Sequence, residues 1–394
     1  MKKLIILGAS ILQLPGIITA KEMGLYTVSV DMDHKAIGRN YSDNFFQIST
    51  IDKEKVLEIA SSLNADGIMT LASDQPMNTV AYVGSKLGLI VIPESVAIST
   101  TNKGVMRNTL RKNNIPMPNY SIVKEFEGFI KSIKNFNLPC IIKPTDSSGS
   151  RGVQLKYDLG NLEESYMYSN EHSKTGEVII EEFLQGREFS VESISVDGNP
   201  KIIAITEKET TGAPYFVEMG HMVPANITKS EEQQIISTVE ATIKALEINN
   251  GPSHCELMLT ESGPKIIEIG ARLGGDNITS YLVPLSTGYN MVKASINCAI
   301  NQENNEKILY NRFSIIKYID TINSGRIKGI NGLENVENSP YFIEMKISKK
   351  IGDKHEKVKS SSDRIGYFIV SGEDRESLIK EANNLLSQIE IVIG

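Results

Sequence analysis

The sequence predicts a multidomain protein of the α/β and α+β classes, and three observations lead to this prediction. The chain has 394 residues, which is too long for one ordinary hydrophobic core and indicates two to four domains. Strand and helix signals alternate over residues 1–100, as they do when helices cover a parallel sheet. From residue 101 to about 301 the pattern of strand and helix signals becomes mixed, and residues 302–394 form a further stretch that is richer in Asn, Lys and Ser.

Composition restricts the kinds of function that the chain can have. Hydrophobic residues at 40% and charged residues at 23% are normal for a globular enzyme. A net charge of −7 argues against general nucleic-acid binding, and no apolar run reaches the roughly 18 residues of a membrane-spanning helix. Cys140, Cys255 and Cys298 lack metal-ligand spacing and suit a reducing compartment. We therefore expect a cytoplasmic protein that binds neither nucleic acid nor membrane.

Residues 1–100 are predicted to form a Rossmann-like domain. The apolar run Leu4–Leu7 stops at Gly8, which indicates a first strand rather than a signal peptide. The other predicted elements are strands at Thr27–Val30, Gly67–Leu71 and Leu89–Ile92 and helices at Pro15–Met23, Lys53–Leu63 and Met77–Leu87. The turn after Leu7 has only the first glycine of a dinucleotide fingerprint, although Asp31 stands where a ribose-binding acid would. Whether this domain binds a ligand of its own stays open.

The rest of the chain is predicted to hold a mixed domain at residues 101–301 and a small α+β domain at 302–394. Helices are predicted at Asn102–Asn113, Glu231–Leu246 and Arg375–Gln388. Strands are predicted at Cys140–Lys143, Val178–Glu181, Phe189–Val196, Lys201–Thr206, Phe313–Tyr318, Phe342–Ile347 and Gly366–Val370. Two further strands contain Glu256 and Glu268.

Glu256 and Glu268 lie in two short apolar runs that a turn at Glu261–Pro264 separates. A carboxylate among apolar neighbours is costly unless a cation or a hydrogen-bond donor faces it. Two carboxylates together with nucleotide phosphates are the hard-oxygen ligands that magnesium prefers. Taken alone, the spacing is equally typical of an ordinary hairpin whose two acids face solvent.

A small, hydroxyl-rich loop follows the predicted strand that ends at Lys143. Its residues are Ser147, Ser148, Gly149, Ser150, Arg151, Gly152 and Val153. Glycines let backbone N–H groups curl around an anion, and serines add donors, although most loops of this kind are surface turns. Lys143 at the end of an apolar strand needs a negative partner, which favours phosphate binding. The loop is not a Walker loop, because no Gly-Lys-Ser/Thr follows at the required spacing.

The strand at Val178–Glu181 continues into Glu182, Phe183 and Leu184, and Glu188 follows after a glycine turn. An extended segment here would offer a backbone donor and acceptor to the edge of an adenine and apolar side chains to its faces. Glu188 could accept two ribose hydroxyls. Alone, a segment of this kind is more often a plain hairpin.

Together, these motifs resemble the ATP-grasp superfamily of carboxylate–amine ligases. The order is Lys103, Lys143, the glycine loop, Glu-Glu-Phe-Leu-x-Gly-x-Glu at 181–188, Glu256 and Glu-x-x-x-Arg at 268–272, and the likeness covers most of the chain. It implies a Rossmann-like domain at 1–100, an ATP-grasp domain at 101–301 with a lid subdomain at about 112–185, and a C-terminal α+β domain at 302–394.

The resemblance also implies a role for each motif. Lys103 and Lys143 would contact the phosphates of ATP, and the loop at residues 147–153 would cover them as a lid. Glu182 and Leu184 would form the adenine hinge, with Glu181 and Phe183 beside them. Glu188 would bind the ribose. Glu256 and Glu268 would hold Mg²⁺ or Mn²⁺, and Arg272 would clamp phosphate. Lys208 could touch the γ-phosphate, with a solvated lysine as the alternative. Many members have Asn where this chain has Gly270, so the number of metal ions stays open.

The segment Phe216–Pro224 narrows the resemblance within the superfamily. It is similar to the Glu-x-Gly-His-x-x-Pro segment of L-amino acid ligases, which form dipeptides. This implies that Glu218 and His221 line the substrate pocket together with Arg272, as the catalytic residues. An imidazole can donate to an acylphosphate oxygen, and a carboxylate can hold or deprotonate an amine. A purely structural histidine is the alternative for His221.

The implied reaction joins a small-molecule carboxylate to an amine. The carboxylate attacks the γ-phosphate of ATP, giving an acylphosphate and ADP, and the amine then displaces phosphate to form an amide. We expect amino acids or similar compounds as substrates, and a homodimer stays open. The competing interpretations are a purine-pathway or bicarbonate-type enzyme acting on phosphoribosylamine, bicarbonate or formate, and a non-catalytic ATP-binding regulatory module. The Glu-x-Gly-His segment argues against the first, and the paired acids with Lys143 and Arg272 against the second.

Overall fold

The computed structural model describes residues 1–147, 149 and 151–394, whose strands form four sheets. The N-terminal sheet is parallel, with the strand order β3-β2-β1-β4. Its strands are β1 (Lys3–Leu7), β2 (Tyr26–Val30), β3 (Asn44–Phe46) and β4 (Gly67–Met69), and its helices are α1 (Leu14–Glu22), α2 (Lys53–Leu63), α3 (Met77–Leu87) and α4 (Glu94–Thr101). Helices cover the sheet and bury β1, which explains its continuous apolar run.

The predicted strand at Leu89–Ile92 is wrong. The segment is an irregular link between α3 and α4, and it packs on α3 instead of joining the sheet. A Cβ atom added at Gly84 of α3 would lie only 2.4 Å from both methyl carbons of Val91. The apolar run therefore records burial against a helix, which a short run of this kind cannot distinguish from a strand.

The second sheet belongs to a small subdomain and is antiparallel, with the order β5-β8-β6-β7; we call it the lid sheet. It follows α5 (Lys103–Lys112) and comprises β5 (Tyr120–Val123), β6 (Cys140–Pro144), β7 (Gln154–Lys156) and β8 (Val178–Glu182), with α6 (Phe126–Ile133) and α7 (Leu162–Glu171) against it. Phe129 of α6 and Tyr166 of α7 pack on its buried face. These elements fall within the predicted lid at about 112–185.

The third sheet, which we call the central sheet, is antiparallel with the order β13-β12-β9-β10-β11-β14-β18-β16. Its strands are β9 (Arg187–Val196), β10 (Asn199–Thr210), β11 (Glu218–Val223), β12 (Gly251–Thr260), β13 (Gly263–Gly270), β14 (Phe313–Ile319), β16 (Phe342–Ile347) and β18 (Gly366–Gly372). The helices α8 (Lys229–Ala245), α9 (Val283–Thr287) and α10 (Met291–Ala299) and a π-helical turn at Ile278–Leu282 connect them. The sheet continues across the domain boundary predicted near residue 301, because β14 pairs with β11.

A small three-stranded sheet, in the order β17-β15-β19, completes the C-terminal region. Its strands are β15 (Gly325–Asn331), β17 (Lys354–His355) and β19 (Glu390–Ile393), and α11 (Leu333–Glu337) and α12 (Arg375–Gln388) flank it. Leu378 of α12 packs with Phe368 of β18 in a local core. The helix predicted at Arg375–Gln388 is confirmed, since its apolar residues recur with helical period. Within the described residues, the helices are all too short or too polar to cross a bilayer.

Candidate active site

Two adjoining cavities contain most of the residues singled out in the sequence. The lid cavity, of about 350 Å³, lies between the lid sheet and the central sheet. The N-terminal cavity, of about 590 Å³, lies between the loops of the N-terminal sheet and the central sheet. The residues that line both are Asp74, Gly149, Arg151, Lys208, Glu218, His254, Glu256 and Arg272. The two spaces therefore meet at a wall that is rich in charged side chains.

Glu181 anchors two cations at one side of the lid cavity. Its Oε1 accepts a hydrogen bond from Arg107 Nε at 2.8 Å, and its Oε2 lies 2.7 Å from Lys143 Nζ. Burial raises the pKa of Glu181, but Arg107 and Lys143 outweigh burial and bring the pKa down to about 2. Burial and the neighbouring cations hold the pKa of Lys143 below its ordinary value, despite Glu181. The side chain of Glu181 thus fixes the position of Lys143.

Arg107 is a residue that the sequence analysis missed. It is fully buried, and besides Glu181 its Nη2 donates to the backbone carbonyl of Ile267 at 2.7 Å. It therefore ties the lid strand β8 to strand β13 of the central sheet. The available signal was its spacing from Lys103, since residues four apart lie on the same face of a helix.

Lys103 connects a predicted metal ligand to the lid loop. Its Nζ donates to Glu268 Oε1 and to the backbone carbonyl of Ser147, each at 2.9 Å. Burial alone would lower the pKa of Lys103, but Glu268 and the more distant Asp74 and Glu181 outweigh it, so the pKa is raised. The ammonium group is therefore held charged beside the loop.

The segment predicted to be the adenine hinge borders the lid cavity at Glu182, Phe183 and Leu184. The backbone N–H of Glu182 already donates to the carbonyl of Asn119 at 2.9 Å, and its carboxylate pairs with Lys265. Among the described residues, the backbone N–H of Leu184 donates to no protein acceptor. The hinge therefore keeps a donor for a ligand at Leu184, while the side chain of Glu182 is engaged elsewhere.

Lys208 lies almost completely buried among three acids. Its Nζ is 2.8 Å from Glu188 Oε1, 3.2 Å from Glu256 Oε1 and 3.5 Å from Glu218 Oε1. Burial would lower the pKa of Lys208, but the three carboxylates raise it well above its ordinary value. The lysine is thus an internal counter-ion for the acids predicted to bind ribose, metal and substrate, rather than a solvated side chain.

Glu256 and Glu268 face each other as direct cross-strand partners of β12 and β13, so their side chains share one face of the sheet. Among the described residues, no group of three or more His, Cys, Asp or Glu side chains is arranged to hold a metal ion. Two carboxylates fit a Mg²⁺ that takes its remaining ligands from phosphates and water. The site therefore suits a metal that arrives with a nucleotide.

Gly270, where many ATP-grasp members have Asn, packs closely against the side chains of Asp74 and Arg272. A Cβ atom at this position would lie 2.9 Å from Asp74 Oδ1 and 3.2 Å from Arg272 Nε. Asp74 comes from the loop after β4 and holds Arg272 with two hydrogen bonds, of 2.7 Å to Nε and 3.0 Å to Nη2. Burial would lower the pKa of Arg272, but Asp74 raises it, so the guanidinium stays charged at the wall between the cavities. The space of the usual Asn is taken by this pair.

His254 is a second residue that the sequence analysis did not assign to the site. Its Nδ1 lies 2.6 Å from Glu192 Oε1, and its Nε2 lies 3.2 Å from Glu256 Oε1. Burial lowers the pKa of His254, but the two carboxylates outweigh it and raise the pKa to about 9. Its position two residues before Glu256, on the same face of β12, was the available signal.

On the side of the N-terminal cavity, His221 is buried and its two ring nitrogens have no hydrogen-bond partner among the described residues. Its Nε2 lies 3.6 Å from Asp276 Oδ2. Asp276 accepts two hydrogen bonds from Arg364, both of 2.9 Å, and the guanidinium lies 3.6 Å from the centroid of the Tyr318 ring. Burial raises the pKa of Asp276, but His221 and Arg364 lower it overall. The imidazole of His221 therefore lies in the cavity wall close to Asp276, and its buried ring nitrogens make no hydrogen bond among the described residues.

The structure brings most of the predicted site residues together. Those that line the lid cavity are Lys103, Lys143, Ser147, Gly149, Val153, Glu181, Glu182, Phe183, Leu184, Glu188, Lys208, Glu218, Glu256, Glu268 and Arg272, whereas His221 lines the N-terminal cavity. Gly152 lines neither of these cavities, because it packs against Pro144 and His172, and its contact with ATP stays a prediction. Ser148 and Ser150 lie outside the described residues.

Two family models match parts of this chain. The model for the ATP-grasp domain matches residues 136–280, and the model for L-amino acid ligase C-terminal domain 2 matches residues 320–394. The chain contains an ATP-grasp domain and a C-terminal domain of the L-amino acid ligase type.

Curated relatives of this ATP-grasp chain include an L-arginine-specific L-amino acid ligase of Bacillus subtilis, 23% identical over 335 residues, which are 82% of this chain and 80% of that protein. An uncharacterized Sinorhizobium fredii protein, y4rH, is 27% identical over 289 residues. That alignment includes 72% of this chain but only 59% of the relative, so the chain spans less than two thirds of its length.

Solved structures show the same fold over the whole chain. The L-amino acid ligase from Bacillus licheniformis has a TM-score of 0.87 at 24% identity and covers 100% of this chain and 99% of its own. A phosphoribosylglycinamide synthetase from Anaerococcus prevotii has a TM-score of 0.79 at 24% identity, with 100% of both chains covered. At this level of identity the likeness establishes the ATP-grasp fold, which L-amino acid ligases and purine-pathway enzymes share.

Proposed function

We propose that this ATP-grasp protein joins a carboxylic acid to an amine, using ATP and passing through an acylphosphate, with release of ADP and phosphate. Both substrates would be amino acids or compounds like them. The observation that carries the proposal is the wall shared by the two cavities, which contains Lys208, Glu218, Glu256 and Arg272. A nucleotide on one side of that wall would place its γ-phosphate beside a carboxylate held on the other side.

In this proposal ATP occupies the lid cavity. Lys103 and Lys143 would bind the phosphates. The backbone N–H of Leu184 and the backbone carbonyl of Glu182 would form hydrogen bonds with the edge of the adenine, and Glu188 would bind the ribose. Glu256 and Glu268 would hold Mg²⁺, or Mn²⁺ in its place, which supplies positive charge to the phosphate oxygens. The charged side chains assigned here to phosphate, ribose and metal already line the cavity and form ion pairs there; they are Lys103, Lys143, Glu188, Glu256 and Glu268.

The first chemical step would take place at Arg272. An oxygen of the substrate carboxylate attacks the γ-phosphorus, a new P–O bond forms, and the bond from that phosphorus to the β,γ-bridging oxygen breaks as ADP leaves. Arg272, which Asp74 holds in place with two hydrogen bonds, would offset the charge that develops on the transferred group. Burial of the wall strengthens this interaction, because water screens it less.

The second step would use Glu218 and His221. The amine nitrogen attacks the acyl carbon, the C–O bond to phosphate breaks, and the nitrogen gives up a proton. Glu218 lines both cavities, so its carboxylate is placed to hold the amine and to accept that proton. His221 has two buried ring nitrogens without a partner, and one of them would donate to an oxygen of the acylphosphate.

Two observations favour amino acids over a sugar phosphate as substrates. Residues 320–394 match the model for L-amino acid ligase C-terminal domain 2. Glu218 and His221, from the segment that resembles L-amino acid ligases, line the N-terminal cavity. Both support amino acids over phosphoribosylamine.

The test is a product analysis with ATP, Mg²⁺ and single or paired amino acids, followed by mass spectrometry and separate identification of the nucleotide. We expect ADP, phosphate and an amide whose mass is the sum of two amino acids less one water. Formation of AMP and pyrophosphate would exclude the acylphosphate route. Phosphate release that responds only to bicarbonate, formate or phosphoribosylamine would instead establish the purine or bicarbonate type of enzyme, and no turnover with any acid would favour a regulatory module.

A further inference from the structure

A buried pair, Glu192 and His254, lies directly behind Glu256. The two residues are cross-strand partners of β9 and β12, and Glu192 is completely buried. Nδ1 of His254 lies 2.6 Å from Glu192 Oε1, while Nε2 lies 3.2 Å from Glu256 Oε1. An imidazole that faces a carboxylate with each nitrogen donates in both directions, so the ring links a deeply buried acid to an acid of the cavity wall.

Both contacts of Glu256 fall on the same oxygen. Nζ of Lys208 also lies 3.2 Å from Oε1, and among the described residues Oε2 has no protein partner. Lys208 and His254 therefore hold Oε1 of Glu256, and Oε2 is left for a ligand. This is the arrangement that a metal ligand needs, since a freely rotating carboxylate would have to be ordered when the ion binds.

The backbone at Gly274 packs closely against His254 and Glu192, and a side chain at this position would collide with the pair. A Cβ atom at Gly274 would lie 2.7 Å from His254 Nδ1 and 2.9 Å from Glu192 Oε2. Glu192 Oε2 has no hydrogen-bond partner among the described residues, which is costly for a buried carboxylate oxygen. A buried charge with such a cost indicates a role other than stability alone.

We propose that His254 and Glu192 are positioning residues that orient Glu256 for the nucleotide-bound divalent cation. Glu192 fixes the ring of His254, and the ring holds Oε1 of Glu256 so that Oε2 is left to the ion. The inference rests on the proposed function, because that function makes Glu256 a metal ligand. It adds two residues that act through Glu256.

Two substitutions of His254 separate positioning from simple packing. An Asn side chain places its amide nitrogen near the position of Nδ1, so His254→Asn keeps a donor to Glu192 and loses the contact with Glu256. A Gln side chain reaches the position of Nε2, so His254→Gln keeps the donor to Glu256. The measurement is Mn²⁺ affinity by electron paramagnetic resonance, with a non-hydrolysable ATP analogue present, together with the melting temperature of each variant.

We expect His254→Asn to weaken Mn²⁺ binding by about 10- to 100-fold, as loss of an outer-shell partner does, and His254→Gln to recover most of that loss. The control is the double variant Ser193→Ala with Ser253→Ala. These hydroxyls lie 2.5 Å apart on the same two strands and have no contact with Glu256, so this variant should bind Mn²⁺ as the wild type does.

Equal Mn²⁺ affinity in His254→Asn and the wild type would overturn the positioning role, as would equal losses in the Asn and Gln variants. Lower melting temperatures without any change in Mn²⁺ affinity would mark the pair as structural. A wild-type protein that binds the ATP analogue but no Mn²⁺ would refute the metal site of the proposed function itself. If the His254 variants fail to fold, Glu192→Gln, which keeps the shape of the pair, provides the same comparison.

Discussion

The two cavities differ in how their charged groups are satisfied. In the lid cavity the phosphate-binding candidates already have acidic partners, with Lys103 on Glu268, Lys143 on Glu181 and Lys208 among three carboxylates. In the N-terminal cavity His221 keeps both ring nitrogens without a partner among the described residues. One half is neutralised internally, and the other contains a buried imidazole that makes no hydrogen bond within the described part of the chain and lies 3.6 Å from Asp276.

This difference suggests a different task for each half. A nucleotide with its cation can replace the lysine–carboxylate ion pairs of the lid cavity. The phosphates would then pair with the lysines, and the metal ion would bind the carboxylates. Such exchange costs less than creating isolated charges in a buried site. His221, in contrast, makes no hydrogen bond among the described residues. In the proposed function it would gain one only when a substrate or an acylphosphate is present, which would direct binding energy towards the reaction.

The largest effect on turnover is expected from Lys143→Ala, which removes a cation from the lid cavity. Turnover should fall by about 10²- to 10³-fold, the cost of losing one charge-stabilising donor. The fold should persist, because Glu181 keeps its 2.8 Å contact with Arg107. Steady-state kinetics with varied ATP and the melting temperature measure the two effects. Lys131→Ala, an exposed change in the same subdomain, is the matched control, and wild-type turnover in a folded Lys143→Ala protein would remove this lysine from the phosphate site.

The second substitution, His221→Ala, removes the imidazole from the wall of the N-terminal cavity. Amide formation should fall by about a hundredfold, since a positioned proton donor contributes that much, while ATP-analogue binding stays unchanged. Product analysis and calorimetric titration with the analogue measure the two quantities. A parallel loss of stability, analogue binding and amide formation would instead describe a structural histidine, and the contrast between the two cavities would fail.

A smaller effect concerns acid stability and again involves Glu181. Its pKa is about 2 in the folded protein against an ordinary 4.5, so its contribution to the free energy of unfolding is fully present above about pH 4.5. That contribution is lost as the pH falls from about 4.5 towards 2. Lys143→Ala removes one of the two cations that lower the pKa, so its stability should decline less steeply across this window, by on the order of 1 kcal/mol. Urea unfolding at several pH values measures the two slopes, and parallel slopes would contradict the ion pairing.

The lid cavity was largely predictable from the sequence, because its residues lie in short motifs with recognisable spacing. Lys143 ends an apolar strand, Glu188 follows a glycine turn, and Glu256 and Glu268 flank one hairpin. Arg107 and Glu192 were not predicted. The spacing of Arg107 from Lys103 was a usable signal, whereas the pairing of Glu192 with His254 joins two distant strands and leaves no local signal.

The N-terminal cavity was less predictable, because distant parts of the chain build it. Asp74 follows β4 and Asp276 follows β13, so only the fold brings them into one cavity with His221. The continuation of the central sheet into β14, β18 and β16 was also beyond the sequence, which predicted the strands but not their partners. Strand order depends on long-range pairing, and local patterns do not encode it.

The most direct test of the central claim follows oxygen from the substrate carboxylate. An amino acid labelled with ¹⁸O in its carboxylate is incubated with ATP, Mg²⁺ and an amine substrate, and the released phosphate is analysed by mass spectrometry. An acylphosphate leaves one labelled oxygen on phosphate when the amine displaces it, so the account predicts one ¹⁸O in each phosphate released and ADP as the nucleotide. Unlabelled phosphate, or label recovered in AMP, would contradict the account.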